Sequence, residues 1–228
     1  MNLRLLQLGD SALPIGSYSH SWGLEAAIER GRVREPGSLE NWSRLWIRHA
    51  VSPLEGVIVA SVCRSVHEEN WSAARRANEL LWTSLTPLTL RNASRDMGEQ
   101  LLSLAESWSW ASAAASALRD ASANKNSFSE WHHAPVFASL AATAHAGPMD
   151  AVLVYLHQAA LGMISAGVRA VPIGHTHGQQ ILAALHEDIR DLAHELAERD
   201  LETAGSFCPA YEVLCHAQSY LYTRLFRS

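Results

Sequence analysis

Apolar residues recur three and four positions apart along most of this chain, the spacing that lines one face of an α-helix. Between about residues 178 and 199, Ile181, Leu182, Leu185, Ile189, Leu192 and Leu196 fall on one side. Glu187, Asp188, Asp191, Glu195 and Glu198 fall on the other. A stripe of Leu54, Val57, Ile58, Val62 and Val66 predicts a helix following Pro53. Leu39, Trp42, Trp46 and Ile47 predict another, with Ser38 as its N-cap. Thr86-Pro87 reads as an N-cap followed by proline at the first helical position, where a missing N–H costs little. Gly31 marks the end of a helix that starts near Ser21. Gly147-Pro148 opens a helix through Met163 that is apolar almost all round, the pattern of a central, buried element. The Ser/Ala-rich stretch 103–126 is expected to be helical in its first half, with a loop over 121–129. No segment alternates like a strand and no fixed-period repeat emerges. The expected fold is all-α: one globular bundle of roughly eight to ten helices, with residues 1–228 as a single domain.

Residues 8–25 break this periodicity. They hold Pro14, glycines at 9, 16 and 23, and serines at 11, 17, 19 and 21, with two acids and no lysine or arginine. Small residues at that density let a backbone turn sharply and approach another surface closely. The segment is therefore expected to be a packing joint or a surface that a partner buries.

Hydrophobic residues make up 48% of the 228 and charged residues 18%, enough for a sizeable core under a lightly charged surface. A net charge of −5 and a single lysine, Lys125, leave no basic cluster to neutralise a phosphate backbone, so nucleic acid is excluded as a partner. Cys63, Cys208 and Cys215 form no CxxC pair, and their odd number suggests no disulfide framework; a reducing cytoplasm fits. Neither a signal peptide nor a run of ~18 apolar residues is evident, which predicts no membrane association.

Candidate chemistry is sparse. His175 and His177 follow the turn 171–174, where two imidazoles in a loop could reach one metal ion, but no further ligands stand at zinc-site spacing. They are weak metal candidates, and the alternative function they suggest is a His-rich metal-binding protein or metalloenzyme. His132 and His133 lie in a polar stretch and are expected to be exposed, whereas His20 is a candidate for burial by a partner. No nucleophile elbow, Walker loop or dinucleotide fingerprint occurs, and Cys63 on an apolar stripe reads as a core residue. Glu25 is either a general base or an ordinary helix carboxylate. The ending, residues 220–228, carries Tyr220, Tyr222, Arg224, Leu225, Phe226 and Arg227, residue types that anchor interfaces. It either docks on its own core or is ordered by a partner. The sum points to binding, with no catalytic residues assigned.

Four blocks in order resemble the UreF family of urease accessory proteins. Residues 13–33 are similar to its L-P-x-G-x-[YF]-x-x-S-x-G-L-E-x-A-[VI]-x-x-G-x-V. Residues 91–98, RNASRDMG, resemble its R-x-x-S-x-x-M-G helix. Residues 166–179 resemble its V-[KR]-x-V-P-[LIF]-G-Q-x-x-[GA]-Q turn, with His175 and His177 in place of a usual Gln and a variable residue. The ending TRLFRS, with His216 upstream, resembles its terminal S-R-L-F-R-S. The resemblance implies an all-α, non-enzymatic subunit in nickel delivery to urease. It implies binding to the UreD/UreH scaffold, recruitment and regulation of the GTPase UreG, contact with apo-urease, and a homodimer. No cofactor is expected to be tightly bound; nickel passes through the complex in transit. The partner-binding positions it implies are Pro14, Gly16, Tyr18, Ser21, Gly23, Glu25, Arg169, Pro172, Gly174, Arg224, Leu225 and Phe226.

Overall fold

The Asn2 side chain accepts the Leu5 amide and starts α1 (Leu3–Leu8) in a computed structural model that describes residues 2–122 and 129–228. The small-residue segment follows, then α2 (Leu24–Glu29), which ends where Gly31 takes a φ of +67°. α3 (Pro36–Trp46) passes without a break through a π-helical stretch, Ile47–Gly56, into α4 (Val57–His67). α5 (Trp71–Ser84), α6 (Leu88–Glu106), α7 (Ser112–Ser122) and α8 (His133–Thr143) come next. The longest helix, α9 (Pro148–Ala170), leads to α10 (His175–Ala184), α11 (His186–Leu196) and α12 (Pro209–Gln218). All these helices pack into one body, and no strand occurs among the described residues. The all-α expectation holds.

Several local expectations change, each for a physical reason. Ser38 is not the N-cap of α3. Glu35 is: its longer carboxylate reaches the amides of both Gly37 and Ser38, while the Ser38 hydroxyl accepts from the Glu35 amide. Thr86 does not cap α6 either, because Pro87 itself takes the extended N-cap conformation. Pro53 does not start a helix; it sits inside the π-helical stretch, whose wider turns suit a residue with no N–H to donate. The helix expected over 178–199 is two, turning at Leu185, although every residue of its apolar stripe is buried as expected. Ser122 still belongs to α7, and residues 123–128 of the expected 121–129 loop lie outside the described residues.

The central helix is α8, not α9. Every residue from His133 to Ala142 is buried, packed by α4, α5, α6, α7 and α9. By length and composition α9 alone among the described helices is apolar enough to cross a membrane, yet just over half of its most apolar window is buried in the body. His132 and His133 are buried rather than exposed. The polar residues around them turn inward: Asn78 accepts the His132 amide and donates to the Glu130 carbonyl, and Glu99 accepts the Trp131 amide. With its main-chain amides accepted in this way, a stretch that reads as solvated enters the core.

Candidate protein-interaction surface

The small-residue segment bends twice through left-handed glycines, Gly16 (φ +81°) and Gly23 (φ +80°), on either side of a short 3-10 turn, Ser17–Ser19. At Gly23 any Cβ would stand 2.7 Å from the Cys215 sulfur, so this glycine lets α2 seat on α12. Ile15, His20, Ser21 and Gly23 are buried, whereas Pro14 and Tyr18 are exposed.

The chain's ending lies across this segment. The Arg227 amide donates to the Ser19 carbonyl, and the Ser228 carbonyl oxygen accepts from the amide of Trp22 (3.1 Å), the amide of Ser21 and the Ser21 hydroxyl. His20 Nδ1 meets the Ser228 hydroxyl at 2.7 Å. Both carboxylate oxygens of Glu25 accept tail amides, from Leu225 and Phe226. Phe226 is buried, so of the two expectations for the tail, docking on its own chain is the one observed. Tyr222, Arg224 and Leu225 remain exposed. His20 is accordingly covered by its own tail. Burial, helped by the nearby Arg227 charge, lowers its pKa to about 4, so the imidazole is neutral at physiological pH.

Arg169, near the end of α9, completes the arrangement. Its guanidinium carbon is 3.6 Å from the centroid of the Tyr18 ring and 4.6 Å from that of Phe226. The same group donates to the carbonyls of Tyr18 and Ser165. Residues expected from distant parts of the sequence, Gly16, Tyr18, Glu25, Arg169, Leu225 and Phe226, thus meet on one side of the molecule. Pro172 and Gly174 sit in the exposed turn that follows α9.

His175 and His177 are exposed on the first turn of α10, not in a loop. Two helical residues two apart point to different sides, so their imidazoles do not converge. No group of three or more His, Cys, Asp or Glu side chains able to hold a metal occurs among the described residues. Cys63 is a buried core residue whose thiol is pushed up to about 12 by burial.

Sequence reasoning missed the cavity behind this surface. It measures about 110 Å³, and its lining includes Tyr18, Arg169, Trp22, Trp46, Glu55 and Tyr155. The only sequence signal was an acid, Glu55, interrupting the Leu54–Val57 apolar stripe.

A model of the UreF family matches residues 33–186, two-thirds of the chain. The chain belongs to the UreF family. It is 31% identical over 227 residues to the urease accessory protein UreF of Rhodopseudomonas palustris (strain BisB5), covering 99% of this chain and 90% of that relative. The UreF of Microcystis aeruginosa (strain NIES-843) is 30% identical over 227 residues, covering 99% and 97%. That of Cupriavidus taiwanensis is 30% identical over 229 residues, covering 99% and 97%. As a UreF protein the chain is an accessory component rather than an enzyme.

Proposed function

We propose that this UreF protein acts in the cytoplasm as an adaptor in nickel insertion, binding the UreD/UreH scaffold and recruiting and regulating the GTPase UreG beside apo-urease. The observation that supports this reading is the meeting of the opening segment, α9 and the tail around Arg169, under the exposed Tyr18, Tyr222 and Leu225. Aromatic and arginine side chains grouped on a surface are what protein interfaces use as anchors. Self-association into a homodimer fits the same reading, with nickel carried through the assembly as cargo.

The test is co-purification from cells expressing the urease operon. Removing residues 219–228 is expected to abolish recovery of the scaffold and GTPase while circular dichroism still reports a helical chain. Full recovery by the truncated protein would take the tail out of the interface. The rival reading, a metal-binding role for His175 and His177, predicts tight stoichiometric nickel in equilibrium dialysis of the isolated chain. It also predicts that the metal is lost on replacing both histidines by Ala.

A further inference from the structure

The cavity behind the interaction surface is lined by two kinds of residue. Trp22, Trp46, Leu54, Met97 and Tyr211 give its walls apolar surface and π faces. Glu55, Gln158 and His133 line it as well, with the His133 ring 5.4 Å from that of Tyr155. The Tyr155 hydroxyl donates to Glu55 Oε2 at 2.7 Å, and Glu55 forms no ion pair among the described residues. Burial raises its pKa to about 6, which still leaves it charged at neutral pH. Gln158 donates its amide to the Leu8 carbonyl, and its buried Oε1 has no hydrogen-bond partner. His133 Nε2 is buried without one too, on a ring that burial holds neutral. Arg169, which also lines the cavity, is already engaged by Tyr18, Phe226 and the Ser165 carbonyl.

A half-buried carboxylate with no ion-pair partner and a buried acceptor with no donor are both costly. An apolar occupant would leave these groups unsatisfied, and an anion would be repelled by Glu55. A cation carrying several N–H donors answers them and is attracted by the π faces of the walls. The volume is of the right order for a compact head on a short stem, since an engineered cavity of ~150 Å³ admits benzene.

We infer that this cavity binds a small organic cation, an alkylguanidinium or alkylammonium, with its charge on Glu55 and its stem along Trp22, Trp46 and Leu54. Two sources offer that chemistry: a free amine, or an arginine or lysine side chain inserted by a partner protein.

The test is titration of the full chain with n-butylguanidinium chloride, read by tryptophan fluorescence, beside n-butanol and sodium butyrate. Saturable binding of the guanidinium alone is expected, weakened at least about tenfold in Glu55→Gln, which keeps the volume and an acceptor for Tyr155. An equal response to n-butanol, no saturable response to the guanidinium, or unchanged affinity in folded Glu55→Gln would overturn the inference. If that variant fails to fold, the charge selectivity of the unaltered chain decides alone. These measurements need no partner and so do not depend on the proposed function. Repeating the titration on the co-purified complex separates the sources: blocked binding assigns the site to a partner's side chain, retained binding to a free ligand.

Discussion

Arg169 is stacked over the ring of Tyr18, its guanidinium carbon 3.6 Å from the ring centroid, while its Nη2 donates to the Tyr18 carbonyl 2.9 Å away. One side chain thereby fixes both the backbone and the ring of a residue 151 positions earlier. With Phe226 on the same guanidinium, α9, the opening segment and the tail share one anchor. Arg169→Ala is expected to lower unfolding free energy by about 1–2 kcal/mol, the sum of a partly exposed cation–π contact and a charged hydrogen bond. Arg169→Lys recovers less than half of this, because an ammonium cannot stack flat and donate sideways together. Urea denaturation of the three proteins checks the order; equal stability of the Ala variant would mean that the stack adds nothing.

Glu25 holds the tail by a separate route, through the amides of Leu225 and Phe226. Glu25→Ala leaves the Phe226 amide, which is partly buried, without its acceptor and should release residues 219–228, at a cost of about 1–2 kcal/mol. Trypsin reports this directly, since Arg224 and Arg227 become cleavable while the helical body survives. Cleavage at the unaltered rate would show that the Ser228 contacts suffice to hold the tail.

The expected elements that survived were those whose signal is local. The apolar stripe from Ile181 to Leu196 is buried residue for residue, because helical periodicity alone decides which face turns inward. The N-caps misplaced at Ser38 and Thr86 shifted by three residues and one residue, to Glu35 and Pro87; the larger misreadings depended on partners distant in sequence. His132 looks solvated until Asn78, 54 residues earlier, is seen to accept its amide. α9 looks like the central helix because composition records apolarity but not which helix is surrounded, and α8 is the one enclosed. The candidate interaction residues were legible as a set through family resemblance, yet their meeting around Arg169 was not, since nothing local pairs Tyr18 with Phe226. Glu55 illustrates the reverse difficulty: a lone acid beside an apolar stripe marks a departure from the pattern without specifying the cavity it lines.

Acid should unfold this protein earlier than its carboxylates alone would. His20, His132 and His133 are each lowered from 6.5 to about 4, in every case chiefly by burial. Between those limits the unfolded chain binds protons that the folded chain refuses. The stability they contribute is therefore complete above pH 6.5 and lost as pH falls toward 4. Glu55 acts oppositely between 4.5 and about 6, where the folded form takes up its proton first and gains stability as pH falls. Three histidines outweigh one carboxyl, so unfolding free energy is expected to drop by several kcal/mol, on the order of 3–6, between pH 7 and 4.5. Denaturation midpoints across that range test the sign. His20→Gln should flatten the curve by roughly a third if the three sites contribute alike, and a flat profile in the unaltered chain would contradict the burial of all three.

Gly98 closes the family-like block 91–98, and the structure supplies a reason for a glycine there. A Cβ at this position would collide with the backbone carbonyl of Trp131 and lie 2.5 Å from the backbone carbon of His132. These neighbours are main chain, anchored by Glu99 and Asn78, and cannot swing aside as a flexible side chain would. Helix propensity alone favours alanine over glycine in the middle of α6 by about 1 kcal/mol. The steric term opposes it and should win, because relieving the clash means prising α6 from the segment that leads into the central helix. Gly98→Ala is therefore expected to destabilise by at least about 2 kcal/mol and to expose Trp131, which is 1% accessible in the folded chain. Fluorescence quenching together with urea denaturation measures both effects. A Gly98→Ala protein as stable as the unaltered chain, or more so, would show that α6 and this segment do not pack as closely as described.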